Sequence, residues 1–151
     1  MRQRKSSLIS YIEKRFYQYE KIKKAVWEAR NDSGVGRTGG NSTGHAFVSD
    51  PTANVAVKDV MPIKSVVIEA GKYETETIKH PEKWLQVIEA TYKHYSGKST
   101  EKLLWQRYKG KDYNYTCINL GISPNIYYCM IREANQFSLA CACQAGLVKV
   151  F

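Results

Sequence analysis

Residues 113–134 read Tyr113-Asn-Tyr-Thr-Cys-Ile-Asn-Leu-Gly121-Ile-Ser-Pro-Asn-Ile-Tyr-Tyr-Cys-Met-Ile-Arg-Glu-Ala134. The layout is that of a helix-turn-helix. A first helix ends at Leu120, and Gly121 stands where a tight turn requires positive φ, which glycine adopts without steric cost. Ile122 fills the angle between the helices, Ser123 caps the second one and Pro124 takes its first position. Cys117, four residues before the glycine, keeps a small side chain where the two helices approach. Leu120 and Ile122 flank the glycine as core residues, and Tyr127 and Met130 fall six and nine residues after it, where the second helix turns inward. Asn125, Tyr128 and Arg132 are left on the outer face. In this motif the early residues of the second helix meet base edges in the major groove. There Asn can pair with adenine and Arg with guanine. The competing reading is a plain helical hairpin with a glycine turn, since docking geometry defines the motif.

Charge supports a polyanionic partner. The 151 residues carry a formal +9, unevenly spread: nine Lys/Arg against three acidic residues in 1–30, five against six in 31–80, and nine against five in 81–151. Such charge gives long-range steering and phosphate affinity but does not define a fold. The basic run Lys98, Lys102, Arg107, Lys109 and Lys111 precedes the motif. Lys102, Lys109 and Lys111, with Ser123, are the candidate phosphate contacts, against the alternative of a solvated helix face. Tyr113, Tyr115, Tyr127 and Tyr128 surround the motif; they are read as core and rim residues except for Tyr128, which points outward.

Upstream, Leu8, Ile12, Phe16, Tyr19, Ile22, Val26 and Ala29 recur three or four apart and predict one basic amphipathic helix within 1–30, packed on its own chain. Residues 31–45 are a Gly-rich linker without the G-x-x-x-x-G-K-[ST] pattern of a phosphate loop. A helical domain follows over 46–151. Asp50 and Pro51 open a helix through Val55 and Val60, Ser65–Ala70 and Lys72–Ile78 form a hairpin about Gly71, Pro81 opens a helix to about Tyr95, and Ser99 caps another to about Lys109, ended by Gly110. The fold class is therefore mainly α, with a C-terminal helix-turn-helix and a small β-hairpin. The apolar C-terminus from Leu139 either extends the second motif helix and closes the core or presents a partner surface, as in DNA readers that dimerise on two half-sites.

Other chemistries find little purchase. Cys117, Cys129, Cys141 and Cys143 show no C-x-x-C spacing and sit in apolar stretches, so they are read as buried free thiols and not as metal ligands. No G-x-S-x-G or H-E-x-x-H pattern occurs; Glu74 and Glu76 are taken as surface carboxylates of one strand face, and His80 as a loop or cap residue. The expectation is a non-enzyme without cofactor or metal. No apolar run approaches the roughly 20 residues of a membrane span, and no signal-peptide core follows the basic start, so the chain reads as intracellular.

Phe47-Val-Ser-Asp-Pro-Thr-Ala-Asn, Pro81-Glu-Lys-Trp-Leu-Gln-Val-Ile, and the motif followed by Leu139-Ala-Cys-Ala-Cys-Gln-Ala-Gly-Leu-Val together resemble phage and prophage late-gene transcriptional regulators of the RinA/ArpU group. The resemblance covers about residues 46–151 and, more weakly, the N-terminal helix. That group is similar to the promoter-reading region near the C-terminus of bacterial sigma factors, and Leu120-Gly121-Ile122-Ser123 matches the sigma Leu-Gly-Val-Ser turn. Pro124, Asn125 and Ile126 stand where sigma factors carry mostly charged residues, so the resemblance implies DNA binding but not reading of a −35-type element. It further implies a regulator of double-stranded DNA in the bacterial cytoplasm, activating phage late genes with host RNA polymerase. A reading of another class is the small terminase subunit, a DNA-packaging adaptor that pairs such a motif with ring-forming helices. A third is an RNA-binding antiterminator. Solution mass separates the first alternative, and relative affinity for single-stranded RNA the second.

Overall fold

The computed structural model describes residues 7–31 and 61–149. The Gly-rich linker beyond Asn31, the Phe47 segment and the helix expected from Asp50-Pro51 lie outside the described residues. Helices α1 (Ser7–Tyr17) and α2 (Tyr19–Asn31) come first, then strands β1 (Ser65–Glu69) and β2 (Thr75–Lys79). Helices α3 (Pro81–His94), α4 (Ser99–Tyr108), α5 (Tyr113–Leu120) and α6 (Pro124–Gln144) follow. The described residues are thus mainly helical with one small antiparallel hairpin.

The single N-terminal helix read from periodicity is divided at Gln18. The backbone pattern nearly continues there, since Gln18 N donates to Lys14 O (3.1 Å) and Ile22 N donates to Gln18 O (2.9 Å). What departs is the side chain, drawn sideways to Arg15 Nη1 (2.6 Å) and Glu76 Oε2 (2.8 Å). The apolar stripe packs on its own chain. Ile12, Phe16 and Ile22 are buried in one cluster with Val66, Ile68, Ile78, Trp84, Val87, Ile88 and Ala142. Burying each of the larger side chains among these contributes roughly 1.5–3 kcal/mol. These helices are therefore part of the core and not an arm beside it.

In the hairpin Val66 pairs with Ile78 and Ile68 with Glu76, so Val66 and Ile68 point inward while Val67 stays exposed. Two strands alone are marginal in water, and here they rest against α2 and the core. The return strand begins at Thr75, later than Lys72, because Glu74 O closes the loop by accepting from Ala70 N (2.8 Å) and Gly71 N (3.3 Å). Glu74 accordingly lies in the loop and shares no strand face with Glu76. Nor is Glu76 a plain surface carboxylate: Arg15 Nη1 (2.9 Å), Lys14 Nζ (2.8 Å) and Gln18 Nε2 (2.8 Å) all reach it.

Burial alone would raise the Glu76 pKa, but the hydrogen bonds from Lys14, Gln18 and Arg15 and the Arg15 charge outweigh it and bring the carboxyl from 4.5 down to about 2. A folded-state value below the unfolded one means stability present in full above pH 4.5 and lost as pH falls toward 2. Partial exposure screens the cluster, so this amounts to no more than about 2 kcal/mol. Urea midpoints taken from pH 5 to pH 2 should fall more steeply for the wild type than for Glu76→Gln; parallel curves would mean the cluster adds no stability.

A second buried cluster joins Tyr95, Leu103 and Leu104 to Tyr127, Ile131 and Ala134. Helix α6 runs through both clusters: its first half supplies Tyr127, Ile131 and Ala134, and its last turns supply Ala142, with Leu139 and Cys141 packed alongside. Of the two readings of the segment from Leu139, the extension of the second motif helix is the one found: α6 is a single 21-residue helix whose end helps close the core. Ser99 is the first helical residue of α4 and not its cap; Lys98 holds that place without a side-chain bond. His80 caps α3 in the left-handed region (φ 51°, ψ 54°), with Pro81 in the first turn.

Candidate nucleic-acid interface

Asp112 starts α5: its carboxylate accepts from Asn114 N (3.0 Å), and its carbonyl accepts from Thr116 Oγ1 (3.0 Å). The helix ends after Leu120, where Gly121 turns left-handed at φ 62° and ψ 36°. Two bonds close the end: Ile122 N donates to Cys117 O (3.0 Å), and Gly121 N donates to Ile118 O (3.2 Å). This pairing satisfies carbonyls that a helix end leaves open. Cys117, Leu120 and Ile122 pack against the second cluster, as the spacing predicted. Ser123 is extended (φ −76°, ψ 158°), and its Oγ accepts from Ile126 N (3.4 Å). Pro124 then opens α6. The chain therefore bends at residue 121 and starts a new helix within three residues.

That helix is two-sided. Tyr127 and Ile131 are buried and Met130 packs beside them, whereas Asn125, Tyr128 and Arg132 are exposed. At 3.6 residues per turn, positions 125, 128 and 132 share an arc of about 60°. Tyr128 is not bare: one ring face stacks on Tyr113 (5.7 Å, 22°), and Tyr127 meets it edge-on (5.3 Å, 87°). Stacking of this kind holds a ring in place while leaving its hydroxyl edge available.

Ser123, Lys102, Lys109 and Lys111 are exposed. The Lys109 ammonium lies over the Trp105 ring (4.9 Å) and that of Lys111 over Tyr115 (5.7 Å). Each aromatic face restrains a long side chain by roughly 0.5–1 kcal/mol at an exposed site. Arg107, the middle of the basic run, turns inward instead. Its Nη2 donates to Glu13 Oε1 (3.1 Å) and its Nη1 to the Tyr127 hydroxyl (3.0 Å). Burial would lower its pKa, but Tyr127 first, then Tyr17 and Glu13, more than offset that and raise it.

This buried network escaped the sequence reading. Glu13 Oε1 also accepts from Asn135 Nδ2 (3.1 Å), and Asn135 Oδ1 accepts from the Tyr108 hydroxyl (3.3 Å). A signal existed: Asn135 lies on the periodic inward stripe Tyr127, Ile131, Ala134, Ser138 and Ala142, and a polar residue on an apolar stripe needs a partner.

The thiols also differ from expectation. Cys129 is exposed and Cys117, Cys141 and Cys143 are half-buried, all free. Burial raises the pKa of the Cys141 thiol. Among the described residues, no helix is long and apolar enough to cross a membrane. Comparison with family models, curated proteins and solved structures gives no match.

Proposed function

We propose that the chain is a sequence-specific regulator of transcription that binds double-stranded DNA. One observation carries this reading: a bend at Gly121 followed at once by a capped helix whose early residues Asn125, Tyr128 and Arg132 are exposed on one face. That is the form in which a helix enters the major groove. Asn125 and Arg132 supply the planar donor sets that discriminate adenine and guanine. Lys102, Lys109, Lys111 and Ser123 hold phosphates. Net charge of +9 favours the encounter. Activation of phage late genes together with host RNA polymerase follows from the resemblance to RinA/ArpU regulators and from nothing in the fold.

The division between bases and phosphates is testable. Lys109→Ala should weaken binding to every duplex alike and reduce the slope of log affinity against log salt by about 0.9, the share of one phosphate. Affinity titrations at several salt concentrations measure both. A slope unchanged from wild type would remove Lys109 from the interface.

A further inference from the structure

We propose that Arg107 is a positioning residue for the reading helix, coupling α1 to the orientation of α6; the proposal rests on the DNA-binding reading above. Glu13 on α1 holds α6 at two points. It reaches Asn135 directly and Tyr127 through the Arg107 guanidinium. The two points are eight residues apart on α6, about 12 Å along its axis. Apolar packing in both clusters seats α6, and two polar attachments so far apart constrain its tilt and roll more tightly than one would. Tyr127 sits between Asn125 and Tyr128 in sequence, and its ring meets Tyr128 edge-on. Any roll at Tyr127 is thus passed to the face that carries the base contacts. The network is largely shielded from water: Arg107 and Glu13 keep side-chain exposures of 19% and 9%. The planar fork puts Nη2 on Glu13 and Nη1 on Tyr127 in one fixed geometry, which the single, freely rotating ammonium of a lysine does not reproduce. The carboxylate on α1 therefore sets how squarely the reading face meets a base pair, without touching DNA.

Arg107→Lys and Tyr127→Phe test this, because both keep the charge of the chain and most of the packing. The readout is affinity for a duplex selected from a random pool, divided by affinity for a scrambled duplex. Each variant should lower that ratio by about tenfold, within the range of couplings between contacting residues. Affinity for the scrambled duplex and the salt slope should stay as in wild type. The double variant should lose no more than either single one, since both break the same link. A ratio that stays intact in Tyr127→Phe overturns the coupling. Equal losses on both duplexes overturn it too, since they mark general damage. A wild type with no preference between the duplexes overturns the DNA-reading proposal itself, which is a different result.

Discussion

Phe16→Ala should destabilise the chain by about 3–5 kcal/mol. Phe16 is only 3% exposed, stacks on Tyr108 (4.8 Å, 24°) and meets Tyr92 edge-on (5.9 Å, 66°). Truncation removes the ring's transfer energy and leaves a void between α1, α3 and α4 that rigid neighbours fill poorly. Domains of this size keep only about 5–15 kcal/mol in total, so the variant should be close to unfolding at 37 °C. The measurement is the urea midpoint with its slope. Trp27→Ala is the control: Trp27 is 64% exposed, and its loss should stay within about 0.5 kcal/mol. If both variants behave alike, the N-terminal helices do not share the core.

The second large effect concerns binding. Arg132→Ala should cost about 1–3 kcal/mol on the preferred duplex and relax preference at one base pair. Affinity for scrambled duplexes should fall much less, since non-specific affinity comes from phosphates. Arg132 is exposed, two turns into α6 and on the same face as Asn125, so the substitution removes reach without disturbing the core. Competition titrations against single-base variants of the selected duplex identify the relaxed position. An equal loss on all sequences would move Arg132 to the phosphate set.

How far the fold could be read in advance follows from the range of the interactions. The bend at Gly121 was legible because every part of it is local: a glycine free to take positive φ, an isoleucine behind it, and a Ser-Pro start to the next helix. Helix α3 was legible for the same reason, with Pro81 at its start. Local pattern also placed the strands, but not the end of the turn, which a carbonyl at Glu74 decides. Arg107 reads in sequence only as one more member of the basic run, on phosphate or in solvent, because its partner Glu13 lies 94 residues away, and Asn135 is 122 residues from the same carboxylate. No window of sequence contains those pairs. Cys129 was misplaced by its apolar neighbours; it lies two residues past the buried Tyr127, and helical rotation turns it outward. Of the candidate site, exposure of Asn125, Tyr128 and Arg132 followed from periodicity and that of the three lysines from their charge, whereas the inward anchors did not.

The most direct test is selection of bound molecules by the wild-type chain from a pool of random duplexes, with a single-stranded RNA pool alongside. A reading helix entering the major groove should enrich a short motif in duplex DNA, with purine-specific positions suited to Asn125 and Arg132, and leave the RNA pool unsorted. A duplex pool that emerges without any motif, or RNA retained in preference to DNA, would contradict the assignment of α6 as a DNA-reading helix.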